Sequence, residues 1–272
     1  MSRIFDALQR SNAEMNAAAG PSNLESELPA GLAQLMPKHP NLDGVSTFEL
    51  SPPPEARLIA STEPQSLGSE KLRVLAARLR FAQQRKQLVR VLVTSSVRGD
   101  GKSFLSSNLA ITFARQGAKT LLIDGDLYQS KLPWMLGAKA SRGLCNWWRE
   151  GGHPAAYLQK VESLPLWLLP AGVTDEEPQT ILQTKQMSQM MQQLEESFTW
   201  IIIDSPPLIP VADASIWGSM SDAHILVVRE QFTPRRLLDK ALESLDKSKI
   251  FALVMNETTA KVEERHYRGY YK

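Results

Sequence analysis

The sequence predicts an α/β fold, a mainly parallel sheet sandwiched between helices, on three observations. Wholly apolar strand-length runs alternate with stretches of helical periodicity from residue 68 onward. Those runs are apolar on both faces, as strands covered by helices on two sides must be. Three of them end in glycine- or aspartate-bearing loops, where sheets of this kind bind ligands.

The elements follow in order. Leu72, Leu75 and Leu79 recur at helical spacing with Arg73, Arg78 and Arg80 between them, so a charged helix precedes the first strand. Residues 88–93 form a buried strand, 103–116 a helix stopped by Gly117, and 119–124 a second strand. Residues 187–197 read as a helix feeding the strand 200–204, and the apolar runs 223–228 and 251–256 flank a helix over 234–247. Before residue 68 the pattern fails. Eight of the 17 prolines fall in the first 66 residues among Ser, Glu and Asn, so residues 1–67 are expected to be a flexible proline-rich segment, with a short helix over 3–18. The domain then spans 68–256 and a tail 257–272.

Composition bounds the function. A chain of 272 residues with 43% hydrophobic content can bury one large core. A net charge of +2, with no long run of one sign, leaves no electrostatic footprint for nucleic acid, and no nucleic-acid partner is expected. Cys145 is the one cysteine and reads as packing in a reducing compartment. Neither a signal-peptide core nor an apolar run of bilayer-spanning length is found, so a cytoplasmic protein is expected. His153 and His224 lack metal-ligand spacing, and Trp147 and Trp148 read as packing of a lobe over 138–160.

The chemistry sits at the strand ends. Residues 95–103, SSVRGDGKS, nearly match the phosphate-binding loop G-x-x-x-x-G-K-[ST], with Ser96 where the first glycine belongs. Gly99 and Gly101 let the backbone curl so that N–H groups of Gly99, Asp100, Gly101, Lys102, Ser103 and Phe104 can face phosphate. Lys102 reaches the β and γ oxygens, and the Ser103 hydroxyl suits Mg²⁺. Alone, the loop could be an ordinary glycine-rich turn. The second end, LLIDGDL, places Asp124 and Asp126 two residues apart, and the third, IIIDSPP, ends in Asp204. A single such aspartate often caps a helix or forms a turn. Three together supply the hard oxygens a magnesium–nucleotide complex needs, and ATP with Mg²⁺ is the expected ligand.

With these three motifs in this order, the sequence resembles the bacterial tyrosine autokinases of capsular and exopolysaccharide synthesis, relatives of the MinD/ParA P-loop ATPases, from residue 68 to the C-terminus. The segments LPLWLLPAG and VADA also resemble the family. The resemblance implies a P-loop NTPase fold in which Lys102 holds the phosphates and Ser103 and Asp204 organise Mg²⁺. Asp124 and Asp126 then serve the metal and the incoming tyrosine hydroxyl. It leaves open which of the two does which job; a catalytic set of Lys102, Asp124 and Asp126 and a metal set of Ser103, Asp126 and Asp204 are expected. The family's acceptor is a C-terminal tyrosine cluster, and here Tyr267, Tyr270 and Tyr271 lie in the last six residues. From Asn256, Tyr267 can extend at most about 36 Å, enough to reach a neighbouring subunit. Each phosphate adds roughly −1.5 to −2 charges, and the resemblance implies release of the tail as they accumulate.

The resemblance further implies a separate membrane-bound chain-length regulator as activator, recruitment to the inner face of the membrane, and self-association into a ring. Two positions depart from the family pattern. Tyr128 stands where the loop after Asp126 usually carries arginine, and is itself a candidate acceptor. In the helix motif Glu-x-x-Arg-x-x-Arg, Glu70 and Arg73 match but Ala76 replaces the second arginine. The competing readings are a MinD/ParA-like switch ATPase and a nucleotide-bound scaffold without tyrosine transfer.

Overall fold

Alternation within each central strand divides the hydrophobic residues between two faces of one sheet. Residues 42, 44–139 and 142–258 are described by the computed structural model. The helix expected over 3–18 and Tyr267, Tyr270 and Tyr271 lie outside them. Within the described residues the strands are β1 (Ser46–Phe48), β2 (Arg90–Ser95), β3 (Thr120–Asp124), β4 (Gln159–Val161), β5 (Leu166–Leu169), β6 (Trp200–Asp204), β7 (Ala223–Arg229) and β8 (Ile250–Asn256). They form one sheet in the order β1-β4-β5-β3-β6-β2-β7-β8. All pairs are parallel except β4 with β5.

On one face Val91, Val93, Leu122, Ile202, Ile225 and Val227 pack with helices α1 (Ile59–Thr62), α2 (Leu67–Gln83), α3 (Lys102–Arg115) and α4 (Leu132–Leu136). Phe113 of α3 stacks on Trp200 of β6 at 4.3 Å between ring centroids. The other face carries Leu92, Leu121, Ile123, Ile201, Ile203 and Leu226. It is covered by α5 (Leu144–Glu150), α6 (Pro178–Leu182), α7 (Lys185–Glu195), α8 (Asp213–Ser219) and α9 (Arg235–Glu243). In α7, Met187, Met190, Met191 and Leu194 recur at spacings of three and four, which puts all four on the buried side. The expected fold class is the observed one. No described helix is long and apolar enough to cross a membrane.

Two sequence expectations change. Residues 46–67, assigned to the proline-rich segment, contribute edge strand β1 and helix α1, and bury Ala56, Leu58 and Ala60. The anchor is distant in sequence: the Ala60 N–H donates to Asn108 Oδ1 at 2.8 Å, and the Arg115 guanidinium donates to the Ala60 carbonyl at 2.7 Å. LPLWLLP, noted only for its resemblance, is β5 and its flanks, with Leu166, Trp167, Leu168 and Leu169 all buried.

Candidate functional site

Order and register of the central strands assemble the site. β6 lies between β3 and β2, and Asp124 pairs with Asp204 across the β3–β6 ladder. The loop after β2 therefore opens beside both aspartates. That loop turns on Gly99 (φ +95°) and Gly101 (φ +100°), angles that a residue with a Cβ rarely adopts. Gly101 is the N-cap of α3, so the free N–H groups of its first turn point into the loop. Ser96 is buried and keeps a negative φ, so glycine is not required there. Its carbonyl accepts from the Ile209 N–H at 3.2 Å.

Lys102 Nζ stands 3.1 Å from Asp126 Oδ2, both side chains nearly buried. Burial acts to lower the Lys102 pKa, but the carboxylates of Asp204, Asp126 and Asp124 outweigh it and the net shift is upward. Asp204 is pushed up to about 6, by burial first, with Lys102 and the Ser103 and Ser106 hydroxyls pulling the other way. Asp124 is pushed up to about 7 by burial and then by the charge of Asp204. Asp124 Oδ2 accepts from Ser130 Oγ at 2.8 Å and from the Leu132 N–H at 3.2 Å.

The buried oxygens Asp124 Oδ1 and Asp204 Oδ1 have no hydrogen-bond partner among the described residues. The Asp204 carboxylate is bonded by the Ser103 hydroxyl and keeps Oδ1 unpaired, a hard donor that a divalent cation would satisfy, so these residues fit magnesium. Among the described residues no cluster of three or more His, Cys, Asp or Glu forms an all-protein metal cage. This donor set suits a cation that keeps water and phosphate ligands.

The cavity in front of the loop measures about 860 Å³. Gly99, Gly101, Lys102, Ser103, Phe104 and Asp126 line it, whereas Asp100, Asp124 and Asp204 do not. Asp100 is fully buried and works as a brace. Its Oδ1 accepts from Thr233 Oγ1 at 2.6 Å and its Oδ2 from the Val97 N–H at 3.2 Å, so what it offers phosphate is backbone. Tyr128 lines the cavity and is 53% exposed. Burial and then the charge of Asp213 raise its pKa. Ala76 is fully buried on α2, while Arg78 is exposed and Glu70 pairs with Arg73.

Three residues escaped the sequence reading. Asn256, at the end of β8, donates from Nδ2 to the Asp100 carbonyl at 3.0 Å and lines the cavity. A polar residue closing an apolar strand is the signal that marked Asp124 and Asp204, and it applies to Asn256 as well. Arg57 and Thr233 carry no comparable local mark.

Comparison with known proteins agrees with this geometry. The ParA family model, described as NUBPL iron-transfer P-loop NTPase, matches residues 87–264. "Tyrosine-protein kinase YwqD" of Bacillus subtilis (strain 168) is 32% identical over 219 residues, covering 80% of this chain and 92% of its own. The VpsO kinase domain is 26% identical at a TM-score of 0.62, covering 71% of this chain and 100% of its own. The kinase domain of Escherichia coli tyrosine kinase ETK, 21% identical, shares the fold at a TM-score of 0.69 over 79% of this chain and 91% of its own. The chain belongs to the bacterial tyrosine-protein kinases of the ParA-like P-loop NTPases.

Proposed function

We propose that the protein transfers the γ-phosphoryl group of ATP to Tyr267, Tyr270 and Tyr271 of a neighbouring copy, and that this regulates exopolysaccharide or capsule polymerisation and export. The observation that carries the reading is the Lys102–Asp126 pair on the wall of a phosphate-loop cavity, beside Ser103 and Asp204.

Lys102 has two possible anionic partners, Asp126 and the phosphates of a bound nucleotide. When it turns to the β and γ oxygens, Asp126 loses its counter-ion at the cavity wall and becomes the carboxylate available to the acceptor. The tyrosine Oη then bonds to the γ-phosphorus, the bond from that phosphorus to the β–γ bridging oxygen breaks, ADP leaves with the electron pair, and the phenolic proton passes to a carboxylate. Of the three strand-end aspartates, Asp126 is the one on the cavity wall and beside Lys102, so we assign it that role. Ser103 and Asp204 would hold magnesium, which neutralises charge on the β and γ phosphates. Asp124, with one oxygen committed to Ser130 and Leu132, positions the loop between Asp126 and α4.

The acceptor assignment is supported by the three tyrosines in the last six residues and by a tail that starts at the cavity, since Asn256 and Glu257 both line it. A membrane-bound activator on a separate chain, recruitment to the membrane's inner face and ring assembly belong to the same reading. With Ala76 buried, the charges on α2 are Glu70 and Arg73, which pair with each other, and Lys71, Arg78 and Arg80.

The test is incubation of purified protein with Mg-ATP, with phosphate located by mass spectrometry. Phosphate on Tyr267, Tyr270 or Tyr271 that is lost in Lys102→Met supports the kinase. ADP production without phosphotyrosine identifies a switch ATPase and overturns the proposal. Mixing Lys102→Met protein with active protein carrying Phe at all three tail positions isolates transfer between copies.

A further inference from the structure

We infer that Arg57, from the segment ahead of α2, is a nucleotide-binding residue of this site, restrained by Glu257 until nucleotide enters. The inference rests on the nucleotide site described above and extends it to a part of the chain that the motifs do not reach.

Three observations carry it. First, the segment is built onto the phosphate-loop helix. Asn108 Nδ2 donates both to the Arg57 carbonyl at 3.2 Å and to the Phe104 carbonyl at 2.9 Å, so Arg57 is tied to the first turn of α3. That turn presents its free N–H groups to phosphate. Second, the described non-glycine residues with positive φ are Arg57 (+50°), Gln231 (+58°) and Glu257 (+50°). Arg57 and Glu257 line the cavity, and Gln231 precedes Phe232, whose ring lies 3.4 Å from where a Cβ on Gly99 would stand. Backbone held in a sparsely populated region gathers at ligand clamps, and two of these three residues line the cavity. Third, the Arg57 side chain is 70% exposed and its nearest ionic partner is distant, with Nη1 3.8 Å from Glu257 Oε1. Glu257 has a closer partner of its own in Arg229.

Lys102 is already paired with Asp126. Arg57 is a guanidinium on this wall with a loose contact to give up, and unlike Arg98, which also lines the cavity, it comes from outside the phosphate loop. Its planar fork matches phosphate oxygens in a bidentate contact that an ammonium cannot reproduce. A triphosphate entering the cavity competes with Glu257 for it, and because Glu257 begins the tail, the exchange links nucleotide entry to the tail's root.

The experiment is a titration of the full chain with a fluorescent N-methylanthraniloyl ATP analogue and Mg²⁺. Arg57→Ala should raise Kd about fivefold or more, and Arg57→Lys should restore only part of the loss. Arg57→Gly tolerates the left-handed backbone, so it reports the side chain even if the alanine variant folds poorly. Glu257→Gln should tighten binding severalfold in the parent and leave it unchanged in Arg57→Gly. Wild-type affinity in Arg57→Gly, or a Glu257→Gln effect that survives without Arg57, overturns the inference. Loss of binding in Lys102→Met with undiminished binding in Arg57→Gly removes Arg57 alone. Absence of binding by the parent chain removes the nucleotide site and Arg57 with it.

Discussion

Replacing Gly101 by alanine tests how the phosphate loop is held. Gly101 has φ +100°, and a Cβ built on it would lie 2.1 Å from Asn256 Nδ2, the atom that donates to the Asp100 carbonyl. Two costs add. A Cβ in the left-handed region costs about 1–2 kcal/mol, and displacing Asn256 forfeits a hydrogen bond of about 1 kcal/mol. The sum, about 2–3 kcal/mol, lowers Tm by roughly 5–10 °C for a domain of this size. The loop N–H groups lose their aim at the same time, and nucleotide affinity should fall at least about tenfold, or 1.4 kcal/mol. The assay is thermal melting with and without Mg-ATP, alone and in Asn256→Ala. Removing Asn256 removes the collision, so Gly101→Ala should cost about 1 kcal/mol less in that background, a coupling measured by the double-mutant cycle. Equal costs in the two backgrounds, or a Gly101→Ala protein that melts and binds like its parent, would refute the reasoning.

Two further outcomes follow from carboxylates that accept backbone hydrogen bonds. The folded pKa of Asp124 is raised from 3.8 to about 7, so between those values the folded state binds more protons than the unfolded state. Stability of the nucleotide-free protein therefore falls as pH rises from 4 to 7, with Asp124 adding at most about 1.4 kcal/mol per pH unit, and its share flattens above 7. Asp124→Asn, whose amide oxygen can still accept from Ser130 and Leu132, should make that slope shallower in urea melts at stepped pH; an unchanged slope would show that Asp124 does not titrate there. Asp222 anchors the start of β2, accepting from the Val89 and Arg90 N–H groups at 3.0 and 2.7 Å and from Arg90 Nη2 at 2.9 Å. Asp222→Ala leaves those donors without this acceptor and should cost about 2–4 kcal/mol in urea denaturation; a loss under about 0.5 kcal/mol would show that water replaces it.

The central strands and their covering helices were legible because apolar runs and helical spacing are local signals. Residues 200–204 were read with the bounds β6 has, and the helix expected over 103–116 is α3 displaced by one residue at each end. The helix expected over 234–247 ends earlier, at Glu243, and a short 3-10 turn over Lys247–Lys249 leads into β8. Least legible was the stretch 46–67. Its strand is three residues long, too short to show alternation, and its prolines read as linker. What folds it is Asn108 and Arg115, about fifty residues away in sequence.

By itself the sequence determined the chemistry available: a loop able to curl around phosphate, a lysine, a hydroxyl and three carboxylates at strand ends. These are properties of short stretches, where residue type and spacing act directly on the backbone. Only the tertiary structure decided how the parts divide the work. Placing β6 between β3 and β2 brings Asp124 into register with Asp204. Burial then commits Asp100 and Asp124 to bracing loops, while Asp126 is left on the cavity wall beside Lys102. Strand order, register and burial depend on contacts between residues far apart in the chain, and the same aspartate after a strand becomes a buried brace or stays on the cavity wall according to what packs against it.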